Sequence, residues 1–281
     1  MPRPEAEKMT ALALGQKKAR GEKIAAVTAY DFPTARLASE AGIDLILVGD
    51  SLGMVLQGRE NTLKVSMDEM VYHTSMVSRA RPRSLVVSDM PYGSFHAGVG
   101  PSVENACRCL KEGGAEAVKL EGGRKRFPVI EALLDAEVPV LAHLGLTPQS
   151  VHALGGFKVQ GKLKEKAREI FQDALDLEKL GVFAVVLESI PMELAGRISA
   201  ALRIPTIGIG AGPLCDGQVL VLHDLVGLTD LHLPRFVRRY ADSRSLWLDA
   251  LRRFVADVGS GAFPAEKESY HLERDIEEFF R

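Results

Sequence analysis

The chain has 281 residues, 46% of them hydrophobic and 26% charged, which is enough for one α/β barrel with a sizeable core and excludes a largely disordered protein. Its formal net charge is −2, with acidic and basic residues interspersed, so neither a nucleic acid nor an anionic membrane is expected as a partner. Because the chain has neither a run of about 18 apolar residues nor the apolar core of a signal peptide near its start, we expect a cytoplasmic protein.

Eight short apolar runs recur along the chain, separated by segments with helical periodicity. Runs rich in Val, Ile and Leu are typical of strands buried on both faces of a parallel sheet. They cover Lys23 to Tyr30, Ile43 to Asp50, Ser84 to Met90, Ala115 to Gly122, Val138 to Gly145, Val182 to Ser189, Ile204 to Gly212 and Gln218 to Asp224. Helices are predicted over residues 34–42, 66–80, 101–114, 127–137, 164–181 and 191–202, with Ser66 and Asp68 as candidate N-caps for the second.

This alternation of strand and helix predicts an α/β protein with one (β/α)8 TIM-barrel domain over residues 1–281. Eight units favour closure over an open doubly wound sheet, which is the alternative, and no Gly-x-Gly-x-x-Gly motif follows the first strand. A helix at about residues 5–20 should precede the barrel, and a helical extension at about residues 230–281 should follow it.

The three cysteines, Cys107, Cys109 and Cys215, lack the spacing of a metal finger. We interpret them as buried or partly buried thiols that contribute to packing. The alternative is a catalytic thiol at Cys215, which lies in a Gly-rich segment.

Polar residues stand where the second to sixth apolar runs stop. They are Asp50, Asp89, Lys119 with Glu121, His143 and Glu188. The carboxyl ends of barrel strands meet at one mouth, where active sites of this fold lie. Four carboxylates gathered there repel one another unless a cation neutralises them or some bind protons. We therefore predict a metal at Asp50, Asp89 and Glu121, and their hard oxygen ligands favour Mg²⁺, or Mn²⁺ in its place, over zinc.

The other polar strand ends suggest binding and proton transfer. Lys119 shares a face with Glu121 and can hold a substrate carboxylate or an enolate oxygen, or it forms a simple ion pair with Glu121. His143 either contacts the substrate or makes a structural hydrogen bond. Glu188 has no evident cationic neighbour, and partial burial would raise its pKa towards that of a general base; the alternative is a buried ion pair. A single carboxylate alone would more simply cap a helix.

Long blocks of the chain resemble the ketopantoate hydroxymethyltransferase family. They include VTAYDFPTARLASEAGIDLILVGDSLGMV, VSDMPYGSF, GGAEAVKLEGG, AHLGLTPQSVHALGGFKVQG, AVVLESIP, IPTIGIGAGPLCDGQVLVLHDLVGL and PRFVRRYADS, and together they span roughly residues 9–265. The resemblance implies a (β/α)8 barrel with one Mg²⁺ per subunit. It places the metal ligands at Asp50, Asp89 and Glu121, the substrate contacts at Asp50, Ser51, Asp89, Lys119 and His143, and the proton acceptor at Glu188.

The same resemblance implies a reaction of pantothenate biosynthesis. A hydroxymethyl group passes from the co-substrate 5,10-methylenetetrahydrofolate to 3-methyl-2-oxobutanoate through a Mg-stabilised enolate, which yields 2-dehydropantoate. The resemblance also implies self-association into a homodecamer. Lys64, Phe95 and His96 depart from the family's usual residues, so the loop over the site is expected to differ. No pattern identifies the folate site, for which Tyr30 and the Gly208 to Gly212 segment are candidates.

Two other functions remain open from the sequence. The first is a Mg²⁺-dependent lyase or mutase of the phosphoenolpyruvate mutase and isocitrate lyase type, but no lid motif with a reactive cysteine is evident. The second is a small-molecule binding protein that kept the barrel and lost the chemistry. The complete set of acid, base and metal-binding residues favours an enzyme over this second alternative.

Overall fold

The computed structural model describes residues 7–230, 233–273, 276 and 280. A closed barrel of eight parallel strands, each paired with the next and the last with the first, lies at its centre. The strands are β1 (Ile24–Thr28), β2 (Leu45–Val48), β3 (Leu85–Asp89), β4 (Ala117–Glu121), β5 (Val140–Gly145), β6 (Ala184–Glu188), β7 (Thr206–Ile209) and β8 (Gly217–Leu220). The predicted barrel is confirmed, and the open sheet is excluded.

The helices precede, connect and follow the strands. They are α1 (Ala11–Ala19), α2 (Phe32–Glu40), α3 (Leu52–Val55), α4 (Met67–Arg79), α5 (Val99–Lys111), α6 (Phe127–Asp135), α7 (Val151–Leu154), α8 (Lys164–Leu180), α9 (Met192–Ala201), α10 (Leu222–Leu225) and α11 (Ser243–Ser260). Short 3-10 turns cover Arg124–Arg126, Pro148–Ser150 and Glu266–Glu268. Ser66 caps α4 as predicted, in a capping box with Glu69.

Side-chain alternation along the strands separates the barrel interior from its outer surface. Inward-facing residues such as Leu45, Val87 and Leu141 form one buried cluster, while outward-facing residues pack beneath the helices. Helix α1 adds Leu14 to the interior cluster, so it closes the amino-terminal end of the barrel. The opposite end, where the strands finish, is therefore the accessible mouth.

The structure corrects the ends of several predicted elements, most clearly at β8 and at the amino-terminal helix. The predicted strand from Gln218 to Asp224 was wrong in its second half, because β8 ends at Leu220 and α10 begins at Leu222. The amide of Leu222 donates to the hydroxyl of Thr28, which anchors this turn to β1. A short apolar run does not by itself distinguish strand from helix. The amino-terminal helix is shorter than predicted because Thr10 caps it, and residues 1–6 lie outside the described residues.

The carboxyl-terminal extension contains α11, which begins after the cap residue Asp242 and ends before Gly261. None of its residues is buried. The predicted helical tail falls partly on residues 274–275, 277–279 and 281, which lie outside the described residues, as do residues 231–232. In the described part of the chain, no helix is both long and apolar enough to cross a lipid bilayer.

All three cysteines are free thiols; Cys107 is half-buried, and Cys109 and Cys215 are buried. Burial raises the pKa of Cys109 to about 11 and also raises the pKa of Cys215. Both thiols are therefore protonated at neutral pH, which supports a packing role and argues against a nucleophile at Cys215.

Candidate active site at the barrel mouth

The strand register brings the predicted site residues together at the mouth. Asp89 pairs with Lys119 across β3 and β4, and Glu121 pairs with His143 across β4 and β5. All of the predicted site residues line one cavity of about 610 Å³; they are Asp50, Ser51, Asp89, Lys119, Glu121, His143 and Glu188. Residues far apart in the chain thus share a single site, as the strand-end pattern predicts.

Lys119 is held mainly by Asp89. Its Nζ donates to both carboxylate oxygens of Asp89, at 2.8 and 2.9 Å, and lies 3.9 Å from Oε1 of Glu121. The simple pair with Glu121 that the sequence offered as an alternative is therefore the weaker contact. Burial opposes the charge on Lys119, but the surrounding carboxylates outweigh burial and raise its pKa. The raised pKa favours the charged ammonium form on the cavity floor.

Gln149 joins two of the acidic residues. Its side-chain amide donates to Oδ2 of Asp50 and to the carbonyl of Met90, both at 2.9 Å, and its backbone amide donates to Oε2 of Glu121 at 3.0 Å. The sequence analysis missed this residue because it lies in the Pro148–Ser150 turn after β5 and not at a strand end. Its place in a loop at the carboxyl end of a barrel strand is the signal that could have identified it.

The three carboxylates at the floor carry unfavourable negative charge. Burial is the main cause of the raised pKa of Asp50, and repulsion from Asp89 and Glu121 adds to it. Burial likewise raises the pKa of Asp89 despite the contact with Lys119. For Glu121, burial opposes ionisation, but His143 and Lys119 outweigh it and lower the pKa. Asp50 and Asp89 therefore need further positive charge if both are to be ionised.

These carboxylates could hold a divalent cation. They are buried, they converge, and they offer the hard oxygen ligands that Mg²⁺ prefers. Within the described residues, however, no group of three or more His, Cys, Asp or Glu side chains is already arranged as a metal site. Lys119 bonds both carboxylate oxygens of Asp89, and Gln149 bonds Oδ2 of Asp50. These contacts hold in place two of the carboxylates that suit a cation in charge and chemistry.

His143 lies between two carboxylates. Its Nδ1 is 3.6 Å from Oε1 of Glu121, and its Nε2 is 3.2 Å from Oε2 of Glu188. Burial and Lys119 oppose its protonation, but the two carboxylates raise the pKa of His143 to about 9. Both ring nitrogens are buried without a well-aligned hydrogen bond to a described residue. The expectation that Glu188 has no cationic neighbour was wrong, because adjacent strands place His143 beside it.

Ser51 forms the edge of the site nearest to β1. Its hydroxyl lies 2.8 Å from the phenol oxygen of Tyr30, which is buried and whose pKa is raised chiefly by that burial. The neutral phenol therefore fixes the orientation of the Ser51 hydroxyl next to Asp50.

Known proteins resemble this chain over nearly its whole length. A sequence profile of the family described as ketopantoate hydroxymethyltransferase matches residues 8–266. The 3-methyl-2-oxobutanoate hydroxymethyltransferase of Geobacter sulfurreducens is 54% identical over 261 residues, which are 93% of this chain and 98% of that protein. The protein of the same name from Koribacter versatilis is 54% identical over 270 residues, which are 96% of this chain and 92% of its own.

Solved structures show the same fold at low sequence identity. A phosphonopyruvate hydrolase in complex with oxalate and Mg²⁺ aligns with a TM-score of 0.60 and 14% identity, covering 92% of this chain and 93% of its own. A 2,3-dimethylmalate lyase of the phosphoenolpyruvate mutase and isocitrate lyase superfamily aligns with a TM-score of 0.56 and 16% identity. The alignment covers 99% of this chain and 94% of that protein. These likenesses concern the fold alone.

Proposed function

The chain belongs to the ketopantoate hydroxymethyltransferase family, and we propose that its barrel mouth carries out the family's reaction by forming the enolate of a 2-oxo acid. The enzyme transfers a hydroxymethyl group from 5,10-methylenetetrahydrofolate to 3-methyl-2-oxobutanoate and forms 2-dehydropantoate. The observation that supports the enolate route is the convergence of three buried carboxylates, one lysine and the Glu188 and His143 pair in one cavity.

We assign the metal-binding role to Asp50, Asp89 and Glu121, with one Mg²⁺ per subunit. The raised pKa values of Asp50 and Asp89 support this assignment, because a divalent cation would offset the repulsion that raises them. When bound, the ion supplies Lewis-acid polarisation of the 2-oxo group and stabilises negative charge on its oxygen.

The other side chains of the site bind the substrate or take part in proton transfer. Lys119 provides positive charge for the substrate carboxylate or for the oxygen that becomes negative in the enolate. Glu188 accepts the proton from C3 of the oxo acid, and protonated His143 beside it holds the carboxylate in place. Ser51, oriented by Tyr30, contacts the substrate near Asp50. The carbon nucleophile formed in this way attacks the methylene carbon of the folate as one of its carbon–nitrogen bonds opens. Water then supplies the hydroxyl oxygen, the second carbon–nitrogen bond breaks, and tetrahydrofolate leaves.

The Glu188→Gln variant tests the proton acceptor. It should still bind 3-methyl-2-oxobutanoate, but exchange of the C3 proton with deuterated solvent should fall about 100- to 10,000-fold, because the amide cannot accept the proton. Proton NMR of the oxo acid, without folate, measures this exchange directly. Glu131→Gln, on the exposed surface of α6, is the matched control and should leave exchange unchanged. Undiminished exchange in Glu188→Gln would remove Glu188 from the mechanism.

We also propose that the chain functions in the cytoplasm as a self-associated protein, specifically a homodecamer, with the barrel and both terminal helical segments in one domain. The exposed apolar face of α11 supports the association, since Trp247 remains 61% exposed on a helix with no buried residue. Large exposed apolar patches on otherwise soluble domains typically mark protein interfaces.

A further inference from the structure

The cavity at the mouth is larger than the oxo acid requires. Its volume of about 610 Å³ falls in the range that binds a drug-sized molecule, whereas 3-methyl-2-oxobutanoate would occupy only the floor. The floor is charged, but the outer wall is mainly apolar and includes Phe157, Val159, Leu220, Pro234 and Phe236. The upper part of the cavity therefore suits a second ligand with a flat apolar surface.

An aromatic face lies over the end of β7, between the strand ends of β6 and β8. Phe236 is 37% exposed and lines the cavity. Its ring packs against the backbone of Gly210, where a Cβ would lie 2.6 Å from the ring. Gly210 has φ +64°, so the absence of a side chain serves both the turn and the close approach of the ring. One face of Phe236 is thus supported, and the cavity offers room for a ring to stack on it.

Asp224 is the only carboxylate among the described lining residues that the enolate chemistry does not use. It lies on α10, just beyond β8, and is half-buried. The hydroxyl of Thr229 donates to its Oδ1 at 2.7 Å, which fixes the orientation of the carboxylate, and no described residue donates to Oδ2. A carboxylate held in this way is suited to a ligand edge that presents two parallel N–H donors.

Arg235 stands next to Phe236 on the same rim. It lines the cavity, is exposed, and forms no ion pair with another described residue. An unpaired guanidinium at the rim is suited to an anionic group that extends from a bound ligand towards solvent.

From these three residues, we propose a subsite for the pterin ring of the folate, in which the ring stacks on Phe236 and its aminopyrimidinone edge bonds Asp224. The N3–H and 2-amino groups of a reduced pterin form two parallel donors, which a carboxylate accepts together. Arg235 pairs with the carboxylates of the glutamate tail. This inference rests on the proposed function and adds the co-substrate contacts. Of the two sequence candidates for the folate site, the Gly208 to Gly212 segment supports Phe236 through Gly210, whereas Tyr30 is not among the lining residues of the cavity.

Three variants test the contacts of this subsite one at a time. They are Asp224→Asn for the hydrogen bonds, Phe236→Leu for the stacking and Arg235→Ala for the glutamate tail. Asp224→Asn should raise KM for 5,10-methylenetetrahydrofolate about 10- to 100-fold, the effect of losing a charged hydrogen-bond acceptor. Phe236→Leu should raise it about 2- to 10-fold through lost stacking. Calorimetry with 6-methyltetrahydropterin and with tetrahydrofolate measures directly how tightly each ligand binds. The Asp224 and Phe236 variants should weaken both ligands, whereas Arg235→Ala should weaken only tetrahydrofolate.

Exchange of the C3 proton without folate distinguishes this inference from the proposed function. All three variants, and the surface control Asp135→Asn, should exchange like the wild type, because exchange does not use the pterin subsite. An unchanged KM in Asp224→Asn or Phe236→Leu would overturn the inference, and so would loss of exchange in Asp224→Asn. If Asp224→Asn fails to fold, Phe236→Leu alone decides the subsite. Absence of exchange in the wild type would instead refute the proposed enolate.

Discussion

Three carboxylates share the cavity floor with a single lysine, and this imbalance predicts how the enzyme responds to metal removal. Because Asp50, Asp89 and Glu121 repel one another, exhaustive treatment with EDTA should abolish turnover and C3 proton exchange, and Mg²⁺ should restore both. Mg²⁺ should also raise Tm, since a ligand that binds only the folded state stabilises it by about 2.7 kcal/mol at 100 times its Kd.

A substitution of one proposed ligand tests whether Mg²⁺ acts at this site. Glu121→Gln should reduce the rise in Tm caused by Mg²⁺, while Glu131→Gln on the surface of α6 should keep it. Full activity after chelation, or an unchanged Mg²⁺ response in Glu121→Gln, would contradict the assigned ligands.

Gln149 is expected to position the acidic residues without reacting itself. Gln149→Leu removes both side-chain hydrogen bonds and leaves Asp50 and the Met90 carbonyl without their donor, which costs about 1–3 kcal/mol in a buried site. We expect a 10- to 100-fold lower kcat/KM for the oxo acid and a higher Mg²⁺ concentration for half-maximal activity. Gln172→Leu on the exposed face of α8 serves as the control. A normal Mg²⁺ requirement in Gln149→Leu would limit Gln149 to a purely structural role.

At the residue scale, the sequence predicted the polar residues that end apolar runs and missed residues whose position depends on the path of a loop. Asp89, Lys119 and Glu188 end apolar runs, so strand periodicity alone brings them to the mouth. Gln149 lies in a turn whose direction depends on the packing of the whole barrel, and no local pattern determines that direction. Asp224 ends the eighth apolar run, but it lies on α10, beyond the end of β8. The contact of His143 with Glu188 also required knowledge of strand register.

Among the elements, the pairing of β5 with β6 controls the position of the proposed base. Gly145 is opposite Glu188 in the register and has φ +97°. A Cβ at Gly145 would overlap the carbonyl oxygen of Glu188 and lie 2.8 Å from Cγ2 of Ile190. The close approach of the two strand ends therefore depends on glycine at this position.

Gly145→Ala should disturb both stability and catalysis. We expect the free energy of unfolding to fall by about 1–3 kcal/mol, from backbone strain and steric overlap, and C3 proton exchange to decrease because Glu188 must shift. Chemical denaturation and NMR exchange measure the two effects. Gly15→Ala in α1 is the control, since a Cβ there meets nothing within 4 Å and alanine favours a helix by up to about 1 kcal/mol. Equal stability of the two variants would contradict the role of Gly145.

The elements themselves were more predictable than their ends. Apolar runs located all eight strands, because both faces of a barrel strand are buried and favour apolar residues away from the mouth. The boundary between β8 and α10 was not predictable, since the apolar run continues through Val221 and Leu222 while the backbone turns. The cap at Ser66 was predictable because it depends only on neighbouring residues.

At the scale of the whole molecule, the sequence indicated a helical extension but not its partner. The apolar side chains of α11 follow a helical stripe that includes Trp247, Leu251, Phe254, Val255 and Val258, all at least half exposed. A stripe of this kind would be equally consistent with packing on the barrel. Only the fold shows that no residue of α11 is buried by the described part of the chain, so this face stays uncovered there.

A second copy of the chain is the partner that this stripe predicts. Sedimentation should show the wild type well above the mass of one chain, and Leu251→Glu combined with Val255→Glu should shift it towards smaller species, because burying charges at an apolar interface is unfavourable. Ala256→Glu introduces a charge on the opposite face of α11 and should not change the assembly. Since no residue of α11 lines the cavity, the dissociated variant should retain C3 proton exchange. A monomeric wild type would show that the apolar stripe of α11 does not mediate self-association.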